Sequence, residues 1–339
     1  MERKSVCFYN TQKDKKMEIF RKMSFADSTG DAIPFYHEGK YHIFSLTSPP
    51  GTTIYPERLR TTWSHSVSDD LVHWQELPTA LYPGEGDEPD ASGVWTGSVI
   101  YGEGQYHAFY TGYCLTAEFQ QTICHATSED GITWTKDIAN PVITPMTELY
   151  EKLDWRDPYV FYNEEDENYW ILISARRLDM PVTRRGCIVL YRSKNLKDWT
   201  YYGPIYSPGH TNCPECPEMY KMGGHWYLSY SRFSEFVNTI YRVSESPFGP
   251  WRKPKKDGIG GRRFYAAKSM QNDDGRRFYF GWAHDRAEQS DKGEWYWGGT
   301  FCIPHEVVPT ENGELNVKLP CEYEHIFLSL IHISEPTRL

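Results

Sequence analysis

The sequence predicts an all-β chain folded as a five-bladed β-propeller, and three observations carry that prediction. A strand, tight turn and aromatic-rich strand recur five times along the chain. A Ser-to-Trp turn follows the first four of these units at matched phase. Aromatic residues make 16% of the chain (25 Tyr, 16 Phe and 12 Trp), while helical periodicity is weak throughout.

The first signature runs DAIPFYHEGKYHIFSL from Asp31, TGSVIYGEGQYHAFYTG from Thr96 and DPYVFYNEEDENYWILIS from Asp157. It returns as CPEMYKMGGHWYLSYS from Cys216 and AAKSMQNDDGRRFYFGW from Ala266. Starts lie roughly 50 to 65 residues apart, the scale of a propeller blade. The turns EGK, GEGQ, GGH and DDGR carry the glycine and acidic residues that hairpins favour. The second signature is SDDLVHW from Ser68, SEDGITW from Ser128 and SKNLKDW from Ser193, with SESPFGPW from Ser244 one residue longer. Each predicts a strand that ends in a turn, with the Trp opening the next strand and packing between blades. A closed ring of such units protects its sheet edges.

Outside the repeats, Gln12 to Met23 is the one stretch expected to form a helical turn or two. The Pro/Gly-rich segment from Thr47 to Arg60 is a long loop, placed to form part of a rim over a site. The segment Leu328 to Arg338, LSLIHISEPTR, breaks the strand-turn rhythm. It matches the translation of a sequencing-library adapter and is expected to lie outside the fold.

A net charge of −10 argues against nucleic acid as a partner, because no basic face is present to displace counterions. No run of about 20 apolar residues offers a membrane span. The start MERKSVCFYN has no apolar core behind its charges, and the eight cysteines are scattered rather than patterned. Both features lead us to expect a cytoplasmic chain with free thiols. Cys213-Pro-Glu-Cys216 has the spacing of a metal or redox pair but lacks a second pair at ligand distance. His37, His42, His65 and His107 fall on or near expected strands without a His-Glu-x-x-His pattern. No metal and no cofactor are therefore expected.

The innermost strand of each blade lines the central channel, so the first residues of these strands converge at one mouth. Asp31 opens the first unit, Asp157 opens the third, and Glu215 immediately precedes the fourth. Three acids from three blades are thus expected in one funnel, sharing one phase of the repeat. As isolated residues they would be turn residues or strand-end caps.

GDAIPFY, WRDPYVF and ECPEMY, in this order, resemble the three acid motifs of glycoside hydrolase family 32, the β-fructofuranosidases. WSHSVSDDLVHWQELPTALYP, VWTGSVI, NPVI and FYAAKSM follow the same family pattern, so the resemblance spans about Asp31 to Val308. It implies that Asp31 is the nucleophile, Glu215 the general acid/base, and Asp157 with Arg156 the group that holds sugar hydroxyls. Trp63, Trp95 and Thr96 fall on motif positions that contact the sugar, and Trp282 is a candidate stacking platform. For these four residues a core-packing reading stays open.

Retention of configuration predicts Asp31 and Glu215 carboxyl groups about 5 to 5.5 Å apart, whereas roughly 8 Å would indicate inversion. The resemblance implies an exo-acting, cofactor-free glycosidase acting on a small carbohydrate. It also implies that residues 31–310 form the propeller after an N-terminal segment at 1–30. Residues 311–327 would then be a link toward a C-terminal β-sandwich, with 328–339 derived from the adapter.

The departures concern substrate recognition. Gly30 precedes Asp31 where the family has Asn, and Ala32-Ile33-Pro34 replaces Pro-Asn-Gly. Phe44-Ser45-Leu46 offers no glutamine, and Arg263 stands where an aspartate is usual. A family 43-like arabinosidase or xylosidase, a carbohydrate-binding propeller without catalysis, and a glycosyl transferase are the other readings these residues leave open.

Overall fold

The computed structural model describes residues 28–324 and residue 326. Blade one holds β1 (Thr29–His37), β2 (Lys40–Thr47), β3 (Thr62–Ser68) and β4 (Trp74–Leu81). Blade two holds β5 (Gly93–Gly102), β6 (Gln105–Tyr113), β7 (Gln121–Ser128) and β8 (Thr135–Lys136). In blade three, β9 (Arg156–Asn163), β10 (Asn168–Arg176), β11 (Gly186–Ser193) and β12 (Thr200–Tyr206) follow. Blade four has β13 (Glu215–Met222), β14 (His225–Arg232) and β15 (Asn238–Ser244), with single bridges from Ile240 to Gly258 and from Val243 to Arg252 along its outer edge. Blade five comprises β16 (Tyr265–Gln271), β17 (Arg277–Arg286), β18 (Trp295–Phe301), β19 (His305–Pro309) and β20 (Leu315–Lys318).

All neighbouring strands within a blade are antiparallel. The inner strands β1, β5, β9, β13 and β16 pack side by side in that order, and β16 returns to β1. Five blades therefore surround one axis, as the repeats predict. β18 is the stitch: it pairs with β17 in blade five and, through Gly299, with Thr29 of β1.

The Ser-to-Trp signature has a physical cause. Asp70, Asp130 and Asn195 accept backbone N–H bonds from the residues two and three positions on, so each closes its own turn. The tryptophan that follows packs on the preceding blade. Trp74 meets Phe280 of β17 edge-on, Trp134 meets Phe44 of β2, and Trp199 meets Phe109 of β6. Trp251 joins the core between blades three and four with Trp170 and Leu172 of β10. One residue per repeat thus covers the second strand of its neighbour.

Two differences from the sequence reading concern the ends. The expected boundary at residue 310 falls inside the outer hairpin of blade five, because β20 pairs with β19 from Glu306–Lys318 to Pro309–Leu315. Tyr323 then docks on blade one, its hydroxyl donating to the Leu71 carbonyl at 2.7 Å, and Ile326 is buried in the same cluster. The expected helix at Gln12 to Met23 and the segment Leu328 to Arg338 lie outside the described residues. No described helix is long and apolar enough to cross a membrane. Four histidines form two pairs, His42 Nδ1 lying 2.9 Å from His65 Nε2 and His107 Nδ1 2.9 Å from His125 Nε2, whereas His37 stacks on Tyr101 at 4.5 Å. Seven described cysteines are free thiols.

Candidate active site

Each inner strand begins with the same irregularity. Between Thr29 and Ala32, three steps on β1 oppose two on β2, and the same count holds from Val94 to Gly97 on β5. It recurs from Arg156 to Tyr159, from Glu215 to Glu218 and from Tyr265 to Lys268. Such a bulge re-aims side chains and twists the strand. Asp157, Cys216 and Ala266 occupy it with φ of 59°, 49° and 47°, a strained conformation for residues with a Cβ. The bulges turn the strand starts toward the axis.

Aligning the five bulges corrects one expectation: the three acids do not share a phase. Glu215 stands on the first rung with Arg156 and Tyr265, Asp157 on the second with Cys216, and Asp31 on the third with Thr96. The hydrogen bonds follow the rungs. On the first, Arg156 Nη2 donates to Glu215 Oε1 at 2.8 Å and the Tyr265 hydroxyl donates to Glu215 Oε2. On the second, the Cys216 N–H donates to Asp157 Oδ2 at 2.9 Å, and on the third Thr96 Oγ1 donates to Asp31 Oδ2 at 2.6 Å. One rung further, fully buried Lys268 reaches across the channel to the Gly97 carbonyl and closes the floor.

A cavity of about 270 Å³ opens above this floor. Asp31, Asp157, Glu215, Arg156, Trp95 and Thr96 all line it, so six of the eight residues expected at the site converge there. Trp63 and Trp282 do not. Both are fully buried, and each donates its indole N–H inward: Trp63 to the Trp95 carbonyl at 2.9 Å, and Trp282 to Asp31 Oδ1 at 2.9 Å. Trp282 is therefore no stacking platform; it holds Asp31 from behind. Arg156 also differs from expectation. It serves Asp154 and Glu215 more closely than Asp157, whose Oδ2 lies 3.7 Å from its Nε.

The sequence reading missed Tyr265 and Trp297, which also line the cavity. Tyr265 could have been found by aligning the bulges, since it shares the rung of Glu215. Trp297 had no repeat to mark it, because it lies where β17 and β18 run on past the Trp282–Phe301 pair, beyond the first rung of the blade. Its ring lies where a Cβ on Gly30 would come within 2.5 Å of Cζ2, so a residue with a side chain at position 30 would displace it. The loop from Thr47 to Arg60 completes the rim. Buried Arg58 donates to the Trp297 carbonyl at 2.8 Å, and the Tyr55 hydroxyl accepts the Trp297 N–H at 2.9 Å.

The electrostatics are those of crowded acids. Burial raises the pKa of Asp31, which the Thr96 and Trp282 hydrogen bonds restrain and the Glu215 charge increases. Burial raises Asp157 as well, against the Arg156 charge and with that of Asp31. Glu215 is raised by burial and by Asp157, while Arg156 and Tyr265 pull it down. Three buried carboxyls this close titrate as a unit, and the unit favours holding a proton. Among the described residues no group of three or more His, Cys, Asp or Glu is arranged to hold a metal. Cys213 and Cys216 instead lie buried beside Arg156 and Asp31.

Among known proteins, the chain is 26% identical over 301 residues to a sucrose-6-phosphate hydrolase of Zymomonas mobilis, covering 82% of this chain and 56% of that one. It is 31% identical over 302 residues to a levanase of Bacillus subtilis, covering 80% and 41%. The fold matches fructan 1-exohydrolase IIa from Cichorium intybus with a TM-score of 0.74 at 23% identity, covering 93% of this chain and 62% of that chain. The chain spans about half the length of the relatives it matches. The profile described as Glycosyl hydrolases family 32 N-terminal domain matches residues 31–318, from the strand that carries Asp31 to the last strand of blade five, and the chain belongs to that family.

Proposed function

We propose that this chain is a retaining, exo-acting glycosidase that releases terminal β-fructofuranosyl units from sucrose-like or fructan substrates. The observation that carries the reading is the stagger of Glu215, Asp157 and Asp31 on three successive rungs of adjacent inner strands, each with its own donors. The stagger gives three acids three depths, so one sugar can meet all of them. The closed floor at Lys268 favours a chain end over a through-running polymer. The relatives' names, sucrose-6-phosphate hydrolase, levanase and fructan 1-exohydrolase, support the fructosyl specificity.

In this reading Asp31 Oδ2 attacks the anomeric carbon as its bond to the leaving oxygen breaks. The Glu215 proton passes to that oxygen, and a fructosyl ester of Asp31 remains. Glu215, now ionised, takes a proton from water, whose oxygen attacks the same carbon and frees Asp31. Burial, with the Asp157 charge beside it, favours the protonated Glu215 that the first step needs. Two donors to Asp31 favour its ionised form. Asp157 accepts hydrogen bonds from sugar hydroxyls that strengthen as positive charge builds on the ring.

Sugar release from fructosides, arabinosides and xylosides tests the reading, with wild type compared against Asp31→Asn and Glu215→Gln. Fructose release is expected, reduced on the order of 10²- to 10⁴-fold or more by each substitution. A folded chain that releases arabinose or xylose but no fructose would reassign the substrate. Silence across the panel would leave a binding propeller.

A further inference from the structure

Lys268 is buried in the channel floor on the fourth rung of β16, and a charge in that place needs a reason. Its ammonium donates to the Gly97 carbonyl at 2.5 Å, on β5. β1 stands between β16 and β5 in the ring, so the side chain runs past the strand that carries Asp31 one rung above. Glu218 shares the rung of Lys268 on the adjacent β13, yet its carboxylate is engaged elsewhere. It accepts from Ser269 Oγ at 2.6 Å, from the Ser269 N–H at 3.0 Å and from Arg277 Nη1 at 3.4 Å. One carbonyl does not offset the cost of burying an ammonium. An apolar side chain of similar length would close the floor as well, with less desolvation.

The rungs above supply the counter-charge. Asp31 lies one rung over Lys268, Asp157 two and Glu215 three. The cation therefore acts most on the two deeper acids and least on Glu215, which has Arg156 at its own rung. Burial raises the pKa of Asp157, and the charges of Arg156 and Lys268 draw it down. The other groups that face the ammonium do not take this place. β9 adds Tyr159 and β13 adds Cys216, both kept neutral by burial. Glu218 on β13 is matched by Arg277 on β17, and β5 brings no charge at this depth.

We infer that Lys268 is a positioning residue for the reaction: a buried cation under the acids that keeps Asp157 and Asp31 ionised, so that the proton of the cluster stays on Glu215. The inference rests on Glu215 being the acid/base of a fructosidase. The support is mutual. The ammonium is stabilised in the floor while the acids above it are ionised, and it loses that support as they take up protons. Burial places their titration above the ordinary carboxylate range, so the exchange falls between neutral pH and about pH 4.

A stability cycle on the full chain needs no turnover. Urea midpoints are compared from pH 7 to pH 4 for wild type, Lys268→Met, Asp157→Asn and the double variant. Wild type should lose ground to Lys268→Met as pH falls, because protonating the acids removes the counter-charge of the ammonium. That pH dependence should shrink at least about twofold in the Asp157→Asn background. Lys268→Gln, which keeps a neutral donor toward Gly97, repeats the cycle should the Met variant fail to fold. In the kinetic arm, the acid limb of kcat/KM on sucrose should move at least about 1 unit toward higher pH in Lys268→Met. The alkaline limb should move less, and Lys268→Arg, which keeps the charge, should hold the acid limb in place. A stability difference constant across pH would mark Lys268 as a plug and overturn the inference, as would an unmoved acid limb. A pH dependence undiminished by Asp157→Asn would assign the cation to Glu218 and overturn it too. Coupling between Lys268 and Asp157 in a folded chain that hydrolyses no fructoside would instead sink the fructosidase reading and leave the buried charge pair standing.

Discussion

Replacing Trp282 by Phe removes one hydrogen bond from Asp31 while keeping a ring between Tyr265 and Trp297. The lost bond is the 2.9 Å donation from the fully buried indole to Asp31 Oδ1, on the side of the carboxylate turned away from the cavity. A hydrogen bond to a charged group is worth about 1.5–3 kcal/mol, and one pKa unit corresponds to about 1.4 kcal/mol. Without it the ionised form of Asp31 loses support by about 1 to 2 units, on top of a pKa that burial already raises. The sign follows from the role: the proposed nucleophile works ionised, so activity falls as pH drops through its pKa. The acid limb of the kcat/KM profile on sucrose should therefore move about 1 to 2 units toward higher pH in Trp282→Phe. Much of the activity should return above the new limb. The limb belongs to the coupled acids rather than to Asp31 alone, so its displacement, not its absolute position, is the quantity to read. An unmoved limb with a raised KM would refute the reasoning, for that is the signature of a ring that stacks on the sugar.

Three further outcomes follow from packing and charge. Gly97→Ala should cost at least about 3 kcal/mol in urea unfolding, because its Cβ would fall 2.0 Å from the Phe109 carbonyl oxygen, in backbone that cannot rotate away. A loss below about 1 kcal/mol would contradict the bulge geometry of blade two. Gly30→Ala should displace the Trp297 ring and raise KM more than it lowers kcat, with unchanged kinetics counting against Trp297 as a wall of the site. The buried His65 is pushed down to about 3, below its unfolded value near 6.5, so its neutral form stabilises the fold above pH 6.5. That contribution is lost as pH falls toward 3, by about 2 kcal/mol at pH 5, and a His65→Gln variant as acid-sensitive as wild type over pH 6.5 to 5 would count against it.

What the sequence revealed was whatever the chain repeats. Two strands and a turn recur because each blade solves the same pairing problem, and Trp74, Trp134, Trp199 and Trp251 recur because each covers the blade before it. The acids were found for the same reason, since they sit at strand starts. Their stagger was hidden, because a bulge adds one residue to a rung without leaving a mark in composition. Trp282 was left open between stacking platform and core, because a tryptophan looks alike whether it faces a ligand or donates into a buried carboxylate. Trp297, Arg58 and Tyr55 were out of reach for another reason: they meet through the extended start of β18 and the loop from Thr47 to Arg60, which bring together residues 239 apart in sequence. The boundary at residue 310 failed because β20 closes the outer edge of a blade, a place where any short polar strand will serve.

The central claim is that Asp31 forms a covalent bond to the sugar and that Glu215 governs its formation and breakdown. Mass spectrometry of the Glu215→Gln chain, quenched in acid after mixing with a fructosyl donor whose leaving group needs no protonation, tests this directly. A mass increase of one fructosyl unit is predicted, mapped to the peptide that contains Asp31 and absent when Asp31→Asn is added. A folded chain that turns over the donor without adduct, or that carries the sugar on Asp157, would contradict the account.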